Sequence, residues 1–335
     1  MNIILLQKKQ ACRICGAFGD FRTFTAREMM FGYKEEFEYF QCSSCGSLGI
    51  SDVPDNLGNF YPENYYSYGK KTDIVHRIRL MLDLAVANPK FSDLALFLAQ
   101  AAEVDFSVFK ELFNYNVQKN SPILDVGSGS GGLLYRFSRI GYTNLTGVDP
   151  YLPADSSSMG VRLVKGDISK LPAFERFSFI IFKHSLEHVT DPYVALQAAK
   201  SRLKDDGIIY VAVPIVNFAY EKYGANWYQL DAPRHLNLFS NAGIRILARR
   251  TGLSIVKSYF NSNSTQFTIS EKYFNNESMF LDGKSTLGGF WKNAGKLISP
   301  RQFSYRRASA RLNSEGRGDM GVFLLVHENW DTSMS

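Results

Sequence analysis

From Ser121 onward the apolar positions fall into short solid runs, separated by stretches in which they recur at helical spacing. Ile123–Val126, Leu145–Val148, Arg162–Lys165, Phe177–Phe182 and Ile208–Val213 have strand length, whereas Gly132–Ile140, Tyr193–Leu203 and Ser240–Thr251 fit helices between and after them. Solid apolar strands alternating with helices are what a parallel sheet covered on both faces requires. The expected fold is therefore α/β, a doubly wound, Rossmann-like, mostly parallel sheet of seven strands. Leu253–Phe260 and Gly321–Val326 supply its last two strands, and the stretch between them shows no clear pattern.

The first part of the chain reads differently. Residues 1–50 are short strands, and Glu36-Phe37-Glu38-Tyr39 alternates as a half-exposed strand should. A tyrosine-rich connector, Phe60 to Tyr68, leads into helical stretches near Ile74–Val86 and Asp93–Phe113. The second would bury a face made of Leu94, Leu98, Ala101 and Val104 or Asp105. The expected domains are a zinc-ribbon module over 1–58, a connector and helical linker over 59–118, and a nucleotide-binding domain over 119–335. That last domain would carry a basic insertion at about 261–318.

Composition narrows the class. The 335 residues are 45% apolar and 21% charged, enough for a real core. A formal charge of +6 is mild for this length and does not by itself imply nucleic acid. No apolar run has membrane-spanning length. Met1 to Leu6 is too short for a signal-peptide core and runs into Gln7-Lys8-Lys9, so a cytoplasmic protein is expected.

All four cysteines fall in two matched units, Cys12-Arg-Ile-Cys15-Gly16 and Cys42-Ser-Ser-Cys45-Gly46. Two intervening residues let a tight turn aim both sulfurs at one ion, and the glycine accepts the positive φ of that turn. Four thiolates would give Zn²⁺ a closed, structural shell. Free thiols or a redox pair are the alternatives. The module's loops carry acids as well as bases, which argues for a scaffold or lid and against a nucleic-acid reader.

The densest signal is Ile123-Leu-Asp125-Val-Gly127-Ser128-Gly129-Ser-Gly131-Gly132: a strand ending in an acid, then alternate glycines opening into a helix. The glycines allow close approach to a ligand, and the helix start offers free N–H groups. Dinucleotide enzymes use a similar turn. Asp125, ahead of the first glycine, suits a cationic amino-acid end better than a pyrophosphate. Asp149 ends the second strand, where it could accept from ribose hydroxyls, and Asp167 follows the third, where it could accept from an adenine amino group.

These segments, with Ser185-Leu-Glu187-His188-Val189-Thr-Asp191-Pro192 and Gly207-Ile-Ile-Tyr-Val-Ala-Val-Pro214, resemble the class I S-adenosylmethionine-dependent methyltransferases over roughly residues 119–260. With the paired cysteines in front, the chain is similar to bacterial methyltransferases of sugar and surface-polysaccharide pathways. The resemblance implies S-adenosyl-L-methionine as cofactor, held at Asp125, Gly127, Ser128, Gly129, Asp149, Asp167 and Ile168, with Lys183 and His184 beside it.

O-methylation of a neutral hydroxyl needs a base, and a neutral imidazole suits it. Of five histidines, His76 and His327 read as structural. His235, in an aromatic loop with Trp227 and Tyr228, is the first choice of base, against a purely loop-fixing role. His188 is the second choice, with Glu187 beside it. His184-x-x-Glu187-His188 resembles an acidic motif that holds a divalent ion in quinone-pathway methyltransferases, but His184 suits Mg²⁺ poorly. Tyr61, Tyr65, Tyr66 and Tyr68 could form an aromatic lid or simply pack.

Lys284 to Gly318 holds eight basic residues against Glu315, interleaved with aromatic ones. It could meet anionic lipid or the diphosphate of a nucleotide- or lipid-linked acceptor, or be a solvated helix. The expected function is O-methylation of a sugar hydroxyl in a glycan, surface-polysaccharide or nucleotide-sugar pathway. Alternatives are a sugar C-methyltransferase, a nucleic-acid methyltransferase guided by the ribbon, or a silent zinc scaffold. Phe182-Lys183-His184-Ser185 lacks the Asn/Asp-Pro-Pro pattern of base amino-methylating enzymes, which counts against nucleic acid.

Overall fold

A computed structural model describes residues 7–61, 81–86, 94, 103–280 and 299–330. The chain forms two compact units. One comprises Met1–Tyr65, His184–Gln197 and Val211–Leu325, the other Tyr66–Lys183, Ala198–Tyr210 and Val326–Ser335.

The second of these units is built on buried parallel strands. β5 (Ile123–Val126) pairs in parallel with both β6 (Leu145–Asp149) and β9 (Phe177–Lys183), and β6 pairs with β8 (Val161–Lys165). All of β5 is buried, as its solid Ile-Leu-Asp-Val run demands. With β7 (Ser156–Ser158), β10 (Leu203–Pro214), β12 (Leu253–Phe260) and β13 (Met320–His327), the full strand order is β12-β13-β10-β9-β5-β6-β8-β7, in which β12, most of β13 and the end of β10 belong to the residues of the first unit. The order reverses at β5, and in open α/β sheets ligands bind beyond the C-terminal strand ends at such a reversal. Among the described residues the sheet thus has eight strands where seven were expected. The extra one, β7, is three exposed serines antiparallel to β8 at the edge, with no apolar signal to announce it.

Helix α1 (Ser107–Asn114) corrects a second expectation. The helix expected over 93–113 is interrupted: residues 103–106 are not helical, and Glu103 has φ 55°. Leu94, expected on a buried face, is exposed. Leu98 and Ala101 lie outside the described residues, as does most of the helix expected over 74–86, of which 81–86 is helical. Helix α2 (Gly132–Arg139) starts at Gly131, φ 79°, and buries Leu134 and Phe137. Helix α3 (Pro192–Lys200) follows Asp191, whose Oδ1 accepts from the Tyr193 and Val194 N–H groups, while Pro192 occupies the first turn where no N–H is needed.

In the first unit, β1 (Gln7–Ala11), β2 (Phe18–Arg27), β3 (Glu36–Gln41) and β4 (Leu48–Ile50) form an antiparallel sheet. Its fifth strand comes from far along the chain: β11, Asn237–Leu238, pairs with Gly49 and Leu48. Tyr39, Leu48 and Ile50 share one core with Trp227, Leu236, Leu238 and Phe267. Three further helices, α4 (Phe218–Tyr223), α5 (Asn241–Arg250) and α6 (Thr265–Phe274), belong to this unit. So does α7 (Pro300–Ser314), which with α6 gives form to the stretch whose sequence was unpatterned. No helix among the described residues is long and apolar enough to cross a membrane.

Candidate active site and four-cysteine centre

The turn after β5 is held open by left-handed glycines, Gly127 at φ 78° and Gly129 at φ 53°. The Gly127 and Ser128 N–H groups donate to the Val148 carbonyl. Asp149 Oδ2 accepts from the Gly129 N–H at 2.8 Å, and Oδ1 from the Tyr151 N–H at 2.9 Å. A Cβ on Gly147 would lie 2.6 Å from Ser128 Oγ, so this second strand must lack a side chain for the turn to close.

Asp125 is buried at the end of β5. Burial pushes its carboxyl up to about 7, Lys183 pulls it back and Asp149 adds repulsion. A buried acid in that state accommodates a bound cation. Lys183 Nζ is 2.5 Å from Asp105 Oδ2; burial would raise the Asp105 carboxyl, but Lys183 and Ser107 outweigh it and hold it low. Ser107 Oγ lies 2.6 Å from Tyr210 Oη. Asp167 caps a short 3₁₀ turn, Ile168–Lys170, accepting from the Ser169 N–H at 2.7 Å, which lowers its carboxyl; Ile168 is buried beside it. The structure therefore brings Asp125, Asp149 and Gly129 together around one turn.

The histidines form a separate cluster in the other unit. Glu187, His188 and His235 offer ligand atoms within 4.8 Å of one another. His235 Nδ1 is 2.6 Å from the Gln229 carbonyl, an acceptor only, so the ring proton is assigned to Nδ1 and Nε2 keeps its lone pair. Nε2 lies 4.0 Å from Glu187 Oε1 and 3.8 Å from Asp231 Oδ2. Burial lowers the His235 imidazole, while Asp231 opposes the shift. His188 stacks edge-on against it at 4.7 Å, with Nδ1 2.9 Å from the Arg234 carbonyl and 3.0 Å from Tyr61 Oη. Burial and the neighbouring His235 push His188 down to about 3, so it stays neutral.

Glu187 is fully buried and, among the described residues, neither carboxylate oxygen has a hydrogen-bond partner. Burial raises its carboxyl to about 8, with Asp231 adding repulsion. Its main-chain carbonyl accepts from the Leu236 and Asn237 N–H groups. A separation of 4.0 Å between Nε2 and Oε1 is wide for direct chelation by a 2.0–2.2 Å metal shell, but it accommodates one bridging hydroxyl or water at hydrogen-bond distance from both. His184 is outside this group, though its Nδ1 is 3.9 Å from Glu187 Oε1; its backbone is left-handed at φ 53°.

Beneath the cluster lies a buried ion network that the sequence reading missed. Arg234 reaches both Asp231 oxygens, Glu28 Oε1 at 2.8 Å and the Phe60 carbonyl. Burial alone would lower the guanidinium, but Asp231 and Glu28 hold it well above its ordinary value. Glu28 in turn accepts from the Phe31 and Tyr33 N–H groups. Asp231 and Arg234 were visible only as neighbours of His235, and Glu28 carried no signal at all.

The four cysteines converge as their spacing predicts. Cys12 and Cys45 sulfurs are 3.8 Å apart, and Cys15 and Cys42 are 3.6 Å apart. The edge of a ZnS₄ tetrahedron with 2.3 Å bonds is about 3.8 Å. Each unit is the same turn: the Gly16 N–H donates to the Cys12 carbonyl and the Gly46 N–H to the Cys42 carbonyl, both at 2.8 Å, with φ of 80° and 74°. The donor set fits a structural ion.

Other expected residues fall elsewhere. His327 Nε2 is 3.5 Å from the Leu203 carbonyl, away from either cluster. His76, Tyr65, Tyr66 and Tyr68 lie outside the described residues, as do 281–298 of the basic segment. In its described part Arg301 pairs with Glu271, Arg311 with Glu315 and Arg317 with Glu221.

Residues 97–258 match the family model of a methyltransferase domain. Ubiquinone biosynthesis O-methyltransferases from Rhodopseudomonas palustris and Bradyrhizobium diazoefficiens are each 30% identical over 123 residues, covering 33% of this chain and 48% of theirs. The chain spans about half the length of the curated relatives it matches. Among solved structures, an S-adenosylmethionine-dependent methyltransferase from Clostridium acetobutylicum aligns over 71% of this chain and 98% of its own, at 13% identity and a TM-score of 0.38. The chain carries a class I S-adenosylmethionine-dependent methyltransferase domain with the Rossmann-like α/β fold. That domain is joined to a strand-rich sheet bearing a four-cysteine cluster.

Proposed function

We propose that this chain methylates a sugar hydroxyl, in a glycan, surface-polysaccharide or nucleotide-sugar pathway, with His235 as general base. The observation that carries the reading is His235 Nε2: its lone pair is fixed by the Nδ1–Gln229 contact and lies 3.8 Å from the Asp231 carboxylate, which favours an imidazolium, and 4.0 Å from the Glu187 carboxyl.

S-adenosyl-L-methionine, when bound, supplies an activated methyl group. Asp125 would face its ammonium end, Asp149 its ribose, and Asp167 with Ile168 its adenine, on the open turn of Gly127, Ser128 and Gly129. Lys183 and His184 follow at the end of β9. The chain's own work is to orient the hydroxyl and accept its proton. His235 takes the proton at Nε2; His188 stays neutral and bonds the Arg234 carbonyl and Tyr61, shaping the pocket. Glu187, protonated near neutrality, donates to the acceptor.

Cys12, Cys15, Cys42 and Cys45 would hold Zn²⁺ as a structural ion, in keeping with a reducing cytoplasm. The basic segment 284–318 would meet an anionic part of the acceptor or a membrane surface.

Calorimetry with S-adenosylhomocysteine, followed by mass spectrometry of a nucleotide-sugar and oligosaccharide panel, tests the reading. Binding with a 14-mass-unit gain on a sugar is expected, and lost in His235→Ala. Binding together with transfer only to non-sugar acceptors would overturn the substrate class. No binding would overturn the whole.

A further inference from the structure

Helix α5 is fastened at both ends to the two cysteine turns. At its start, Ser240 caps the helix, its Oγ accepting from the Gly243 N–H at 2.8 Å. The same Oγ donates to the Cys45 carbonyl, and the Ser240 N–H donates to Ser47 Oγ at 3.0 Å. At its end, Arg250 Nη1 donates to the Ile14 carbonyl at 2.6 Å, and a Cβ on Gly16 would press on the guanidinium at 3.1 Å. Midway, a Cβ on Gly243 would collide with Ser47 Oγ, so helix and turn are in direct contact.

The loop that α5 follows carries His235, and residues on both sides of it are held by the same sheet. Arg234 bonds Glu28, the His235 carbonyl accepts from Tyr39 Oη at 2.9 Å, and the Leu236 carbonyl accepts from the Ile50 N–H at 3.0 Å. Asn237 and Leu238 then pair with β4. Tyr39 precedes Cys42 by three residues, and Leu48–Ile50 follow Cys45 by three to five. The hairpin gripping the loop is therefore the one whose turn the second cysteine pair closes.

We propose that Ser240 and Arg250 are positioning residues that register the His235 loop against a metal-organised pair of turns. Resting on His235 as the base, this makes the four-cysteine centre a determinant of turnover and not of cofactor binding. An ion at the four sulfurs fixes both turns. Ser240 and Arg250 transmit that order to α5, and the loop between the sheet and α5 inherits it.

Hydrogen–deuterium exchange of the full-length zinc-loaded protein tests this, with zinc content measured on each sample. In Ser240→Ala/Arg250→Ala that retains zinc, peptides over 231–240 should exchange at least tenfold faster, with 123–132 unchanged. Removing zinc from the wild-type protein with a chelator should give the same local pattern, and S-adenosylhomocysteine should bind both preparations as before. The His235 ring-proton NMR resonance should move toward its free-imidazole position in each. Zinc-loaded double variant and stripped wild type both keeping full protection at 231–240 would overturn the proposal, as would global loss of protection in the stripped protein. If the double variant does not fold, the stripped wild type decides alone. Normal loosening of the loop combined with full activity in His235→Ala would leave the coupling standing and remove the base assignment instead.

Discussion

Tyr39, on the third strand of the cysteine-bearing sheet, donates its phenolic hydrogen to the carbonyl of His235, 196 positions later, at 2.9 Å. Burial raises the phenol far beyond its ordinary range, so it stays a donor at every physiological pH. The contact ties the imidazole's own backbone to a strand that leads directly into a cysteine pair.

Tyr39→Phe removes that hydrogen bond with little change in volume. An unsatisfied buried carbonyl costs about 1–3 kcal/mol. The expected outcome is a lower melting temperature and turnover reduced about tenfold, with S-adenosylhomocysteine affinity unchanged by calorimetry.

On the proposed reading, Asp125 governs the pH dependence of cofactor binding. Its folded value of about 7 lies above the ordinary carboxylate value of 3.8, so in the free protein its contribution to stability is full below the lower figure and lost as pH rises through the upper one. A bound ammonium favours the ionised form and reverses the trend. Affinity should therefore tighten several-fold between pH 6 and 8, and Asp125→Asn should weaken binding and flatten the profile.

Glu187 follows the same trend as Asp125 does in the free protein. Its carboxyl, raised to about 8 from 4.5, destabilises the fold as pH climbs through that interval. Glu187→Gln mimics the neutral form, so its melting temperature should exceed the wild type's at pH 9 and match it at pH 5. If Glu187 works protonated, turnover survives in the glutamine variant and fails in Glu187→Ala.

Arg234 is the counter-ion for two buried acids. Arg234→Met leaves Glu28 and Asp231 uncompensated, which typically costs about 3–5 kcal/mol. Thermal denaturation should show a loss of that order, and Glu28→Gln, which leaves the Asp231 pair intact, a smaller one.

Much of this was readable from residue order. Solid apolar runs announce β5, β6 and β9, the glycine turn places a helix start at Gly132, and helical spacing finds the start of the helix after β9 to within a residue, because those features are local. The paired cysteines announce their own cluster because two short turns suffice to make it. What was not readable is non-local or unpatterned. β7 is three serines. Residues 103–106 are not helical although their sequence is ordinary. Asp105 finds Lys183, and Glu28 finds Arg234, across separations that no periodicity encodes. His235 was reached as a candidate through its aromatic loop, but its tautomer depends on the Gln229 carbonyl, and its flanking acids on a turn in which Asp231 has φ 39°.

The two-residue strand β11 bears on how this chain can be cut. Because Asn237 and Leu238 complete a sheet begun near the amino terminus, trimming away residues 1–58 would not liberate a self-sufficient enzyme. It would strip the cover from Leu236, Leu238 and Trp227 and leave a raw, sticky edge, so the shortened product should precipitate instead of working alone.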